Sequence, residues 1–194
     1  MEQLNLKTRS KPLISIPGLV LTGMFTAILC VLAQISIPMQ PIPFTLSVFA
    51  IYLIGALLPP RYAFLSVISY ILLGAFGLPV FAGMKGGFQV LTGMTGGFIM
   101  AYPIMALLTA LSYRYMKKWK ITALTTGMVI SLLLCYLFGS LWFTVSTGST
   151  LAEALSLCVY PFIPFDLIKI ALAISFSQVI RVTVVRHFSE YRRL

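Results

Sequence analysis

The sequence predicts an all-α integral membrane protein, a single domain over residues 1–194 with six transmembrane helices. Its residues are 59% hydrophobic and only 9% charged, with a mean hydropathy of +1.00, whereas soluble domains average roughly 25% charged residues. The hydrophobic residues are grouped in six runs. The basic residues lie almost entirely between these runs or at the termini, which is typical of topology signals in membrane proteins.

The six apolar runs are the predicted spans. They cover residues 17–37, 44–58, 62–76, 90–113, 121–145 and 159–185. The second and third hold fifteen residues each, fewer than the roughly 17–25 of most spans. Joined together they are far too long for one helix. Leu58-Pro59-Pro60-Arg61 between them predicts a helix end followed by a turn, so we count two spans.

The basic residues also predict the orientation. If the N-terminus is cytoplasmic, twelve of the fourteen basic residues fall on the inside, as the positive-inside rule requires. These twelve are Lys7, Arg9, Lys11, Arg61, Arg114, Lys117, Lys118, Lys120, Arg181, Arg186, Arg192 and Arg193. We therefore expect both termini in the cytoplasm. The net charge of +10 is explained by topology, which argues against a nucleic-acid partner.

The last apolar run carries two charges. Asp166 is the only aspartate in the chain, and Lys169 follows it three residues later, so both lie on one face of a helix. A charge at membrane depth costs at least roughly 2.5–3.5 kcal/mol on insertion scales. Two interpretations stay open: a binding site for a polar ligand that enters from outside, and a self-neutralising pair that eases insertion.

Two irregular stretches are predicted at the outer surface. Pro38, Pro41 and Pro43 exclude a helix between the first two spans, which leaves a rigid turn or the wall of a pocket. The stretch from Gly77 to Gly97 holds seven glycines with interleaved aromatic residues. Such backbone can approach a ligand closely or move as a lid; a plain linker is the alternative.

The first span carries small residues at helical spacing. Gly23 and Ala27 are four residues apart, and Thr22, Thr26 and Cys30 form a second stripe beside them. Such spacing permits close approach between membrane helices. Internal packing and contact with another membrane protein are equally compatible with the pattern.

Enzymatic function is not expected. The only histidine, His187, lies in the basic tail, which excludes a serine–histidine site within the membrane and a histidine metal site. No nucleotide-binding or metalloprotease motif occurs. We expect no cofactor, and active transport would need energy from a partner or an ion gradient.

Four ordered motifs resemble the BioY family, the biotin-binding S components of energy-coupling factor (ECF) transporters. They are Gln34-Ile35-Ser36-Ile37-Pro38 with Pro43-Phe44-Thr45, Gly77-Leu78-Pro79-Val80-Phe81-Ala82, Gly93-Met94-Thr95-Gly96-Gly97-Phe98, and Pro161-Phe162-Ile163-Pro164-Phe165-Asp166-Leu167-Ile168-Lys169. The resemblance implies the six-helix S-component fold in a bacterial or archaeal cytoplasmic membrane. It implies biotin capture at the outer face, with transport through a transmembrane coupling subunit and two ATPases.

The resemblance also assigns residues to the site. Asp166 and Lys169 become the polar pair that meets biotin, with Asp166 expected to accept from a ureido N–H. Gly83, Lys85 and Gln89 are implied on the lid side, with Phe81, Phe88 and Thr45 as walls, and Gly23 and Ala27 as the docking surface for the coupling subunit. Met94 and Phe165 depart from the family pattern, which usually has proline and glycine there.

Two alternative functions remain at this point. The first is an S component for another small vitamin or a biotin precursor, which would keep the architecture and change the ligand. The second is a membrane scaffold that uses its small-residue stripes to bind other helices. A scaffold would bind no small molecule and would tolerate leucine at Asp166 and Lys169.

Overall fold

The computed structural model describes residues 15–115 and 120–187, with side chains described as far as Arg181. Its elements are α1 (Ile16–Gln34), β1 (Ser36–Ile37), β2 (Phe44–Thr45), α2 (Ser47–Leu57), α3 (Pro60–Ala75), α4 (Phe88–Thr92), α5 (Gly96–Tyr115), α6 (Lys120–Thr147), α7 (Leu151–Cys158) and α8 (Ile163–His187). The predicted inside residues Lys7, Arg9, Lys11, Lys117, Lys118, Arg192 and Arg193 lie outside the described residues, as does the side chain of Arg186.

Four helices in the described part are long and apolar enough to cross a membrane: α1, α5, α6 and residues Ile163–Arg181 of α8. The helices α2 and α3 are apolar but shorter, with 11 and 16 residues. The helix expected over 90–113 begins at Gly96 instead, and α4 lies before it. The chain is thus a mostly helical, multi-pass membrane protein.

The shortness of α2 is explained by its burial. Nine of its eleven residues are buried, because α5 and α8 pack against it. Gly55 allows the close approach to α5, since a Cβ atom there would lie 2.6 Å from the Thr109 side chain and 2.8 Å from the Ala106 carbonyl. Helix α2 is therefore an internal element, with little surface left for lipid.

One end of the helical bundle carries the described basic residues Arg61, Lys120 and Arg181. The Arg181 guanidinium on α8 donates to the Ala56 carbonyl in the last turn of α2 and lies 3.4 Å from the centroid of the Tyr113 ring. Lys120 lies over the same ring, at 5.5 Å. Arg61 stands at the start of α3, just beyond the end of α2.

The opposite end is closed by short elements. Strands β1 and β2 pair antiparallel, with Ser36 opposite Thr45, and the tip between them includes the cis peptide Gln40–Pro41. Helix α7 is held by a capping box, in which Thr150 and Glu153 each accept from the other's backbone N–H. The proline segment is not helical, as its three prolines predict, whereas helix α7 was not predicted from the sequence.

Candidate functional site

A buried ion pair lies in the first turns of α8. Lys169 Nζ donates to Asp166 Oδ1 at 2.8 Å, and the two residues are only 4% and 3% exposed. Asp166 occupies the N-terminal turn of α8, where the helix dipole favours a negative charge. Both charges are therefore compensated inside the protein, which a buried pair requires.

Two aromatic residues complete the surroundings of this pair. Tyr136 of α6 donates its hydroxyl to Asp166 Oδ2 at 2.6 Å. The Lys169 ammonium also lies 4.0 Å from the centroid of the Phe44 ring, a cation–π contact. Each oxygen of Asp166 thus has one donor, while an ionised carboxylate offers about four acceptor positions. The pair can still accept and donate further hydrogen bonds.

These side chains line a small pocket, here called the polar pocket because it contains the ion pair. Its volume is about 50 Å³. Its walls are Ile42, Pro43, Thr45, Val48, Phe98, Tyr102, Leu132, Cys135, Tyr136, Cys158, Phe162, Asp166 and Lys169. Apart from the ion pair and three hydroxyl groups, these walls are mostly apolar. A ligand group that reaches this pocket meets one acceptor and one donor side by side.

A larger cavity adjoins the polar pocket. It has a volume of about 340 Å³, near the lower end of the roughly 300–1,000 Å³ typical of small-molecule sites. It is lined by Pro41, Ile42, Pro43, Thr45, Ser47, Tyr70, Phe81, Ala82, Lys85, Gln89, Val90, Gly93, Met94, Thr95, Phe98, Ile99 and Tyr102. Both spaces share Ile42, Pro43, Thr45, Phe98 and Tyr102. The two spaces therefore lie side by side, separated by no more than these shared walls.

The rim of the large cavity is formed by a tight turn over residues 81–85, here called the rim turn. Phe81 N–H donates to the Lys85 carbonyl at 2.9 Å, and Lys85 N–H donates back at 3.3 Å. Gly83 and Met84 between them have φ of +70° and +58°. Glycine adopts this left-handed backbone without strain, but methionine does so rarely. The turn brings Lys85 to the cavity.

Gln34, the last residue of α1, ties that helix to the rim turn. Its Nε2 donates to the carbonyls of Phe81 at 3.1 Å and of Pro79 at 3.3 Å. Its Oε1 accepts from Met84 N–H at 3.0 Å. A single amide side chain thus satisfies three backbone groups of the loop, and it fixes the loop relative to the first helix.

The structure places the predicted site residues at different depths. Asp166 and Lys169 line the polar pocket, Thr45 lines both spaces, and Phe81, Lys85 and Gln89 line the large cavity. Gly83 is exposed in the rim turn. Phe88 is 66% exposed and is absent from both linings. Among the described residues, no three side chains of the metal-binding type come together.

Tyr136 and Phe44 were not singled out from the sequence. Tyr136 lies 30 residues before its partner Asp166, within a long apolar helix. No local spacing links the two, so only packing of α6 against α8 brings them together. Phe44 does lie in one of the recognised motifs, but nothing in that motif indicates that its ring faces Lys169.

The two small-residue stripes of α1 face different ways. Thr22 and Thr26 are buried against α3: Thr26 Oγ1 donates to the Ser66 carbonyl at 3.0 Å, and Ser66 Oγ donates to the Thr22 carbonyl at 3.2 Å. Gly23 and Ala27 are exposed, and a Cβ atom at Gly23 would meet nothing within 4 Å. The threonine stripe therefore serves internal packing, while the other is open to a partner or to lipid.

The chain matches a known protein family over most of its length. The model of the BioY family matches residues 4–186 of the chain, which is far more than half of it. The chain belongs to the BioY family. This confirms the resemblance inferred from the four motifs. Membership of this family of transport proteins also agrees with the expectation of a non-enzymatic protein.

Curated relatives of the family come from both archaea and bacteria. The probable biotin transporter BioY of Pyrococcus horikoshii is 40% identical over 158 residues, which cover 81% of this chain and 92% of that protein. The biotin transporter BioY of Thermotoga maritima is 40% identical over 80% of this chain and 90% of its own. The biotin transporter BioY2 of Lactococcus lactis is 33% identical over 90% and 94%.

A solved structure shares the fold. The crystal structure at 2.1 Å of the S-component for biotin from an ECF-type ABC transporter superposes with a TM-score of 0.75 at 26% sequence identity. The superposition covers 86% of this chain and 91% of that one. The predicted S-component architecture therefore holds at the level of the overall fold.

Proposed function

We propose that this protein captures biotin as the substrate-binding subunit of an ECF transporter and so serves biotin uptake. Family membership and the printed functions of the relatives support the substrate class. The observation in the structure that carries the proposal is the Asp166–Lys169 pair, which lines the polar pocket next to a cavity of about 340 Å³. The pair presents an acceptor and a donor next to apolar walls.

Biotin matches this arrangement group by group. Its ureido ring carries N–H donors and a carbonyl acceptor, so one N–H meets the Asp166 carboxylate while the carbonyl accepts from Lys169. The ammonium has three donors, of which one is engaged by Asp166. The thiophane ring and the alkyl chain are apolar and fit the larger cavity, which is lined mainly by apolar and aromatic side chains.

We assign six membrane passages to the chain, with α2 and α3 completing the four longer helices. The described basic residues at one end of the bundle support a cytoplasmic position for that end, following the positive-inside rule. This assignment puts both termini in the cytoplasm and both cavities toward the outside. Helix α2 is short for a passage, but its neighbours enclose it, so it needs no full-length contact with lipid.

The exposed stripe of α1 is assigned to the coupling subunit. Gly23 and Ala27 lie on one face of the helix, since four residues separate them, and their small side chains allow a partner helix to approach closely. Exposed apolar residues flank them, including Val20 and Met24. Two ATPase subunits on the cytoplasmic side would supply the energy for transport, and the membrane is the cytoplasmic membrane of a bacterium or archaeon.

Equilibrium binding of biotin to the detergent-purified protein, freed of co-purified ligand, tests the proposal. We expect one biotin per chain and a loss of at least about 100-fold in affinity for Asp166→Asn, because the amide presents an N–H group where the ligand needs an acceptor. Phe88→Leu is the matched control, since Phe88 lies outside both linings.

A folded, monodisperse sample without biotin binding would reject the proposal. Direct binding of desthiobiotin, which keeps the ureido ring without the thiophane, then separates the alternatives. Binding of neither compound rejects a biotin-type pocket. Biotin uptake that persists after Asp166 and Lys169 are both replaced by leucine would favour the scaffold interpretation.

A further inference from the structure

We propose that Lys85 binds the carboxylate of the ligand, so that the site selects a cyclic urea with an anionic tail. This inference rests on the proposed function and adds to it an assignment for the second charged end of the site. It follows from the charges along the two cavities, from the way the rim turn holds Lys85, and from the partners that the other charged groups already have.

The charge balance of the site leaves one cation unused. Three charged side chains line the two spaces: Lys85, Asp166 and Lys169. Asp166 and Lys169 neutralise one another at 2.8 Å, so the walls of the site carry a net charge of +1 from Lys85. A ligand with one carboxylate brings the total to zero. A neutral ligand would leave the exposed Lys85 ammonium with water as its partner.

Lys169 is the competing partner for the carboxylate, and its surroundings argue against that role. It is 4% exposed, and its ammonium is already held by Asp166 and the Phe44 ring. A ligand carboxylate at Lys169 would stand close to Asp166. Two negative charges would then share a buried pocket with one cation, an arrangement that is strongly unfavourable. The neutral ureido group avoids this repulsion.

Lys85 is presented to the cavity by a well-anchored backbone. Its N–H and carbonyl both pair with Phe81, and the Phe81 ring is 1% exposed and packs edge-on against Tyr70, with ring centroids 5.4 Å apart. The ring fills the space beside Gly74, where a Cβ atom would overlap it. Gln34 also donates to the Phe81 carbonyl and accepts from the Met84 N–H. The lysine thus projects from a fixed position at the rim.

No acidic side chain of the described part is available to Lys85. The two acidic residues whose side chains are described are Asp166 and Glu153. Asp166 is bound by Lys169 and Tyr136, and Glu153 accepts from the Thr150 N–H at 2.8 Å in the cap of α7. Under the proposed topology, Lys85 is also the only basic residue in the connections on the outer side. A single basic residue on the outer side is an exception to the placement of the other basic residues on the cytoplasmic side. A role of Lys85 in binding an anion explains this exception.

The test compares biotin with biotinamide, whose carboxamide removes the negative charge and leaves the rings and chain unchanged. Equilibrium binding is measured for the wild-type protein, Lys85→Met, Lys85→Arg, Lys169→Met and Lys120→Met. Lys120→Met is the matched control, because it also removes one positive charge but lies at the opposite end, over Tyr113.

We expect Lys85→Met to weaken biotin about tenfold and biotinamide less than about twofold, a modest value because the ion pair at the rim is partly solvated. Lys85→Arg should keep most of the biotin affinity, and Lys120→Met should change neither ligand. Higher ionic strength should weaken biotin binding to the wild-type protein more than biotinamide binding.

Three results would overturn the inference. Equal losses for both ligands in Lys85→Met would make the lysine a structural residue of the rim. Equal affinity of the wild-type protein for biotin and biotinamide would show that no cationic side chain binds the ligand carboxylate. A selective loss of biotin binding in Lys169→Met, with Lys85→Met unaffected, would move the carboxylate to α8. Binding of neither ligand by the wild-type protein would instead reject the proposed function, and this inference with it.

Discussion

The polar pocket and the rim turn are two halves of one site, yet they are held in opposite ways. In the pocket, side chains from three separate segments contact one another: Asp166 and Lys169 of α8, Tyr136 of α6 and Phe44 of β2. At the rim, backbone groups of one short turn pair with each other and with the Gln34 amide. The pocket is thus built by helix packing, and the rim by local backbone geometry.

This difference separates the part of the site that binds the ureido group from the part that controls entry and exit of the ligand. Burial strengthens electrostatic interactions and makes an unpaired charge costly. A substitution of a charged residue in the pocket should therefore abolish ligand binding or destabilise the fold. The rim is more exposed, and glycines at positive φ lie within it and beside it, at Gly77, Gly83 and Gly87. Changes to the backbone anchors of the rim, as distinct from the Lys85 side chain, should alter how long the ligand stays bound more than whether it is recognised.

The largest effect is expected where the buried pair is broken on one side. Asp166→Leu leaves the Lys169 ammonium buried without its carboxylate, which should cost about 3–5 kcal/mol of stability. The double variant Asp166→Leu/Lys169→Leu removes both charges and should recover most of that loss while remaining unable to bind biotin. Thermal unfolding in detergent measures both variants. Equal stability of the single and double variants would contradict the picture of a compensated buried pair.

A smaller effect is expected from the second donor to Asp166. Tyr136→Phe keeps the ring and removes the hydroxyl that donates at 2.6 Å, so biotin affinity should fall about tenfold or more, as for other hydrogen bonds to charged groups. The same substitution in an Asp166→Asn background should have little further effect if Tyr136 acts through Asp166. Tyr160→Phe, at a residue 61% exposed, is the control. Unchanged affinity would remove Tyr136 from the site.

The smallest effect is expected at the rim. Gln34→Glu keeps the acceptor for Met84 N–H and loses the donor to the Pro79 and Phe81 carbonyls, so the turn should open more easily and biotin should dissociate about 3- to 10-fold faster. Dissociation rates from stopped-flow competition measure this, with Gln178→Glu on α8 as the control. A slower association with unchanged dissociation would show that the amide shapes entry and does not retain the ligand.

Some local features follow directly from the sequence. The Asp166–Lys169 pair is three residues apart in one helix, so helical geometry alone puts both on one face. Helix α7 is a missed example of the same kind, since Thr150 and Glu153 have the spacing of a capping box. The apolar run from residue 159 begins just after that helix.

Other features depend on contacts between distant residues. The sequence grouped Lys85, Gln89 and Phe88 in one glycine-rich loop, but the structure turns the first two toward the cavity and leaves Phe88 exposed. On α1, both small-residue stripes looked equivalent. Ser66 of α3, forty residues beyond Thr26, makes the threonine stripe an internal contact and leaves Gly23 and Ala27 open.

The sequence by itself determined the class of the protein, its apolar segments, its family and the two charged residues of α8. These depend on composition, on motif order and on spacing within one helix, which the backbone geometry translates directly into position. Only the tertiary structure decided that Tyr136 and Phe44 surround the ion pair, and that Lys85 faces the cavity next to it. The packing of separate helices sets those contacts, and no local pattern encodes which side chains will meet across it.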